Sequence, residues 1–251
     1  MKVLDMDTNY FHFQEVLPGT ADFDDYQEAR YDVFCDELGR VEPTGQFNRR
    51  GHPIETDRYD AHSRHFIARH KQTGIVAGFM RVIMPNPVGL NVQDRYVINE
   101  PLPYGVGMDR IGEISRLAVT PRFRRRHEDQ GKPVQGDPST EMSMRPEGMR
   151  QHQPELVLGL YREVYHLCMK EGVDYCVAAM DRRFSRLLNT LGFPFLAVGP
   201  VNENVSPPRR VYLISAQEME KSLGARENCI LRFMQTQLER LQPAVPALAA
   251  A

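Results

Sequence analysis

The chain has 251 residues, no tryptophan, and only four cysteines: Cys35, Cys168, Cys176 and Cys229. No two cysteines form a C-x-x-C pair, so neither a zinc site nor a disulfide framework is indicated. No stretch approaches the roughly eighteen apolar residues of a membrane span. The opening segment, MKVLDMDTNYFHF, has no apolar core of the signal-peptide kind. Charge of one sign is also missing: 31 Lys and Arg meet 33 Asp and Glu, leaving a formal net charge of −2. Bulk attraction to nucleic acid is thereby excluded, and any basic function must be local. No internal repeat is visible. What remains is 41% hydrophobic and 25% charged, the composition of a soluble globular protein with one large core. A reduced, cytoplasmic location is the expectation.

The pattern along the chain is mixed α/β. Residues 22–38 read as a helix, with Tyr26, Ala29, Val33, Phe34 and Leu38 at helical spacing and Gly39 as its stop. A polar loop over 40–63 follows. Residues 64–70 and 75–84 predict an antiparallel pair with Thr73-Gly74 in the turn. A connection rich in proline and glycine, 85–110, leads to a strand over 111–119. Residues 127–153 hold almost no large apolar groups except three methionines and are expected to be a mobile insertion. A helix over 154–171, a strand Tyr175–Met180, and a helix capped by Asp181 and closed by Gly192 come next. Strands at 193–198 and 210–214 follow, then a helix over 217–242 with Ile230, Met234, Leu238 and Leu241 in a stripe. The expected organisation is one domain over 1–251, with 217–251 as C-terminal helix and tail.

Ile111–Arg126, IGEISRLAVTPRFRRR, is the most informative stretch. An apolar strand carries Glu113 and Arg116, and buried charge is costly unless it is paired or serves chemistry. The strand stops at Thr120-Pro121 and runs into Arg122, Arg124, Arg125 and Arg126. A basic segment after a strand, if it opens a helix, can hold a phosphate.

Two resemblances follow from these residues. The run strand–VTPRFRRR–helix–strand–helix–LGF resembles the second half of GNAT-fold acyltransferases, though the loop's usual glycines are missing. Arg30-x-x-x-Phe34, then E-T-D-R-Y-D at 55–60, then Arg81, then Glu113-x-Ser115-Arg116, resembles the autoinducer synthases. Those enzymes move an acyl chain from acyl carrier protein to the amine of S-adenosylmethionine. Arg40 stands where they carry a tryptophan after the LG, and the polar insertion is extra. Both departures make the chain more similar to long-chain N-acyl amino acid synthases, and most similar to the acyltransferases found beside bacterial exosortase (PEP-CTERM) systems.

The resemblance implies a GNAT-like fold and an N-acyltransferase with no tightly bound cofactor. Its donor would be an acyl carrier protein thioester, with acyl-CoA possible, and its acceptor the amine of a small molecule. Glu113 and Arg116 are the candidate catalytic residues. Glu113 is either the base or an ion-pair partner of Arg116 or Arg81. Strand alternation puts Glu113 and Arg116 on opposite faces, so a shared site requires a β-bulge. Arg30, Phe34, Asp57, Asp60, Arg81 and Ser115 are expected around the acceptor. Arg30, Asp57, Asp60 and Arg81 either orient it or fasten the 40–63 loop through ion pairs. Leu117, Ala118, Val119, Arg124, Arg125 and Arg126 are expected at the phosphopantetheine of the donor. Arg182 and Arg183 could join that patch in facing an acidic carrier protein. A metal reading of Asp57, Asp60, His62 and His65 has suitable ligand types but no supporting spacing.

Overall fold

The computed structural model describes residues 10–124, 153–226 and 229–236. The chain opens with β1 (Phe11–Val16), then α1 (Ala21–Tyr31), which continues as a π-helical turn over Asp32–Glu37. A small hairpin, β2 (Gln46–Phe47) and β3 (Pro53–Ile54), precedes β4 (Ser63–His70) and β5 (Val76–Ile83). The short helix α2 (Asn91–Arg95) leads to β6 (Ile111–Val119). Beyond it lie α3 (Gln153–Glu171), β7 (Tyr175–Met180), α4 (Arg182–Leu191), β8 (Leu196–Ala197) and β9 (Arg210–Ser215). Helices α5 (Ala216–Gly224) and α6 (Ile230–Gln235) end the described chain.

Seven strands form one mixed sheet in the order β1-β4-β5-β6-β7-β9-β8. Every neighbouring pair is antiparallel except β6 and β7, which are parallel. That pairing holds only from Ile111↔Tyr175 to Glu113↔Val177, after which the two strands part. On one face, α3, α4, α5 and α6 bury Leu156, Leu160, Leu188, Leu223 and Phe233 against Met80, Val82 and Ile114. On the other, α1 and its π turn seat Tyr26, Val33 and Phe34 on Ile67 and Phe79, and α2 seats Val92 near Ile83 and Ile111.

Local chemistry accounts for the element ends. Thr20 caps α1 by accepting the Phe23 N–H, and Asp181 caps α4 by accepting from Arg183 and Phe184. Gly39 and Gly192 adopt φ of 54° and 103°, the left-handed backbone that ends a helix. The π turn is marked by the Leu38 N–H reaching Val33 O at 3.1 Å, five residues back.

Several expectations are corrected. Strand β1 was not anticipated: His12, Gln14 and Glu15 dilute its apolar pattern, as an edge strand tolerates. The strand expected at 193–198 shrinks to two exposed residues at the sheet edge. The connection 85–110 holds α2, too short to carry a helical period. In place of one helix over 217–242 there are α5, which ends at Gly224, and α6, which begins at Ile230; Ile230 and Met234 pack on the core, and Leu238 and Leu241 lie outside the described residues. The expected insertion also lies outside them, save Gln153, which opens α3. Cys168 and Cys176 meet in the core with their sulfurs 3.5 Å apart.

Candidate active site

Where β6 parts from β7, a cleft of about 480 Å³ opens. Its walls are Ile114–Val119 of β6, Ala178–Met180 of β7, Phe34 at the π turn, Asn91 of α2 and Val157 and Tyr161 of α3. Parallel pairing ends at Glu113, so the β7-facing backbone edge of Ile114–Val119 has no strand partner among the described residues.

On its other edge β6 carries a bulge. Arg81 pairs with Ser115, yet Phe79 pairs with Ala118, so Met80 alone faces Arg116 and Leu117. Arg116 takes up the extra residue with φ of 49°, rare for any residue but glycine and costing on the order of 1–3 kcal/mol. The bulge required for a shared face is therefore present. Arg116 turns to the face of Arg81 and Ser115, its guanidinium 5.6 Å from the centre of the Phe34 ring.

Three guanidiniums and three carboxylates interlock there. Arg116 grips Glu55 with Nε and Nη2, at 3.1 and 2.8 Å, and reaches Asp57 at 3.1 Å. Arg81 Nη1 donates to Asp57 at 2.6 Å and to Asp60 at 2.7 Å, while its Nε donates to Ser115 Oγ at 3.0 Å. Arg30 bonds Glu55 through Nε, Asp60 at 2.7 Å and the Tyr26 hydroxyl at 3.2 Å. The Arg81 side chain is fully buried and that of Glu55 equally so, which makes mutual neutralisation compulsory. Burial pushes the Glu55 carboxyl up, but Arg116 and Arg30 outweigh it and hold it at about 2. Asp60 is likewise pushed up by burial and brought far down by Arg30 and Arg81. His65 lies against the rings of Phe23 and Tyr26, and burial lowers it to about 4. Asp57 and Asp60 are committed to arginine, so the metal reading of that segment has no free ligand set.

Glu113 stands apart from this network. Its Oε2 accepts the Val92 N–H at 2.9 Å and its Oε1 accepts from the Asn91 amide at 3.3 Å. Neither partner is an ion, so the ion-pair expectation for Glu113 is replaced by a carboxylate held at the start of α2. Burial raises its pKa; the bonds from Val92 and Asn91, and the charges of Arg81 and Arg116, only partly offset this.

Arg30, Arg81, Asp57, Asp60, Ser115 and Arg116 thus come together, with Phe34 beside them. Leu117, Ala118 and Val119 line the cleft, and Arg124 sits at its rim, bonded to Glu37 and to Val119 O. Arg125 and Arg126 lie outside the described residues. Arg182 and Arg183 are exposed on the first turn of α4. Sequence reasoning quoted Glu55 as the first letter of E-x-D-x-x-D but left it out of the constellation. Asn91 and Arg209 gave no signal, and Arg40 gave one only as the residue in place of a tryptophan, because only the fold brings the three to the cleft.

Residues 29–131 match the family model of the acetyltransferase (GNAT) domain. No curated protein matches the sequence. By structure, the chain is similar to TofI in a ternary complex with an inhibitor and MTA, with a TM-score of 0.56 and 14% identity over 86% of this chain and 96% of that one. It is similar to BjaI, a CoA-dependent acyl-homoserine lactone synthase solved with SAM and isopentyl-CoA, with a TM-score of 0.52 and 16% identity over 92% of this chain and 89% of that one. It is also similar to the AHL synthase LasI, at 0.53 and 14%, over 86% and 95% respectively. The fold is GNAT-like, as the order of elements and the V-T-P-R run led one to expect.

Proposed function

We propose that the protein is an N-acyltransferase that moves a medium or long acyl chain from acyl carrier protein to the amine of a small molecule such as an amino acid. The observation that carries this reading is the cleft between β6 and β7, which combines an unpaired strand edge with the buried, raised-pKa carboxylate of Glu113. Amide formation from a thioester needs a neutral amine, a stabilised oxyanion and a route for one proton. The amine nitrogen attacks the thioester carbonyl carbon, and Glu113, directly or through a water, takes the proton. Backbone N–H groups of the unpaired edge meet the oxygen that gains charge; one such donor is worth about 3–4 kcal/mol in comparable sites. The C–N bond forms, the C–S bond breaks, and the thiolate leaves to be protonated.

The donor chain has apolar surroundings. Leu117, Val119, Val157 and Tyr161 line the cleft, and Ile114 and Tyr161 are shared with a small cavity whose lining is almost wholly apolar. Phosphopantetheine would run beside Leu117, Ala118 and Val119 toward Arg124, Arg125 and Arg126, and the arginines would face an acidic carrier protein. The missing glycines of the loop favour carrier protein over free coenzyme A. Arg30, Asp57, Asp60, Arg81 and Ser115 serve the acceptor side by fixing Arg116 and the floor beneath it. The exosortase-associated acyltransferases are the relatives that account for Arg40 and the polar segment.

A second reading, an autoinducer synthase using S-adenosylmethionine, is favoured by the complete R-x-x-x-F…E-x-D-x-x-D…R…E-x-S-R pattern. Expression in a host with its own acyl carrier protein, with lipid extracts profiled by mass spectrometry, separates the two. N-acyl amino acids that vanish in Glu113→Gln support the first reading, and homoserine lactones the second. A lipid profile unchanged by the wild-type protein under any supply of amines overturns both and leaves a non-enzymatic acyl-binding or regulatory module.

A further inference from the structure

Five arginines line the cleft, Arg40, Arg95, Arg116, Arg124 and Arg209, against two carboxylates, Glu113 and Asp181. Most of these charges are already answered. Arg116 is held by Glu55 and Asp57, and Arg124 by Glu37. Glu113 accepts from Asn91 and Val92, and Asp181 caps α4. Arg40, Arg209 and the exposed Arg95 have no side-chain hydrogen bond or ion pair among the described residues, and of these Arg40 and Arg209 act on each other. They arrive from distant parts of the sequence, yet both spring from fixed backbone. The Arg40 N–H bonds Phe34 O at 2.9 Å, at the end of the π turn. Arg209 forms an isolated antiparallel bridge with Asn202, whose side chain is tied to Arg95 O at 2.9 Å. The two guanidiniums are near enough that the charge of Arg209, with that of Arg124, adds to burial in lowering the pKa of Arg40. The charges of Asp181 and Glu37 only partly offset them, and like charges brought together on anchored backbone are a poor arrangement for an empty surface and a good one for an anion.

We propose that Arg40 and Arg209 form an oxyanion-binding subsite at the cleft, taking a carboxylate or phosphate carried by one of the two substrates. It is separate from the basic segment after β6, to which it adds a second wall from the N-terminal half and the β8–β9 connection. A planar guanidinium suits either anion because it offers paired N–H donors. Only the assignment of the anion to a substrate rests on the acyl-transfer reading; the subsite itself does not.

The test begins with binding alone. Calorimetric titration of the intact protein with inorganic pyrophosphate is expected to give saturable binding that weakens with salt. Arg40→Ala and Arg209→Ala should each weaken it by roughly ten-fold or more, the size expected when a charge-assisted bond is lost. Lys170→Ala, which removes an exposed cation outside the cleft, should leave it unchanged. Absence of saturable binding, or binding untouched by both arginine substitutions, overturns the subsite even if acyl transfer is fully demonstrated. Circular dichroism on the variants guards against unfolding, and Arg40→Lys keeps the charge as a milder control. Kinetics then assign the source. An Arg40→Ala defect confined to carboxylate-bearing acceptors, and absent with the corresponding amides, places the acceptor there. A raised KM for acyl carrier protein alone places the donor phosphate there. Loss of transfer in Glu113→Gln with pyrophosphate binding intact tests the catalytic reading separately.

Discussion

Two sets of arginines meet at β6, and they handle charge in opposite ways. Beneath the strand, Arg30, Arg81 and Arg116 are matched one for one by Glu55, Asp57 and Asp60. At the cleft, Arg40 and Arg209 have no such partners. A buried charge must be neutralised by the fold, because no water can do it. A partly exposed one can wait for a ligand. The first arrangement fixes the bulged strand and the 40–63 segment; the second leaves attraction unspent for something that binds.

The largest effect that would separate the two regions is on stability. Arg81→Ala leaves Asp57 and Asp60 without one of their partners and should cost about 3–5 kcal/mol in chemical denaturation. If the loss is below about 1 kcal/mol, the network is not what holds β6 in place. A milder probe is acid. His65, held to about 4 by burial, begins to bind protons preferentially in the unfolded chain as pH falls below 6.5. The Glu55 contribution, on the order of 3 kcal/mol, is fully present above pH 4.5 and lost as pH falls toward 2. Between about pH 6.5 and 4.5 the raised carboxyls of Glu113 and Glu155 oppose His65, whereas below pH 4.5 stability should decline, and Glu55→Gln should flatten that lower part of the curve. A parallel decline in the variant would show that other groups dominate.

The rim gives the small end of the scale. Arg124→Ala breaks a partly exposed pair with Glu37 and should change stability by no more than about 1 kcal/mol. Arg40→Ala and Arg209→Ala should lie within about 0.5 kcal/mol of wild type, since neither side chain has a hydrogen bond or ion pair to lose among the described residues. A loss above 1 kcal/mol for either would mean that it supports the fold, and the contrast between the regions would fail.

Much of this was legible in the sequence because its carriers are local. Gly39, Asp181 and Gly192 mark helix ends through their own backbone chemistry, and the spacing of Glu113, Ser115 and Arg116 survives without three-dimensional context. The need for a bulge followed from alternation alone, though not its position at Arg116. What stayed hidden depends on distance along the chain. Glu55 meets Arg116 across sixty-one residues, and Arg40 and Arg209 come to one cleft only through the fold. The partners of Glu113 stayed hidden for the same reason. Asn91 and Val92 belong to a helix of five residues, which leaves no periodicity to detect.

The central claim is that Glu113 takes the proton of an acceptor amine in the β6–β7 cleft. It is tested most directly by the ratio of wild-type to Glu113→Gln acyl-transfer rates, measured across pH with acyl carrier protein as donor. Protonated glutamate resembles glutamine, so the ratio should lie near one in acid. It should rise as pH passes the raised pKa of Glu113 and level off at about 10²–10⁴. A ratio that stays near one at every pH would contradict the account.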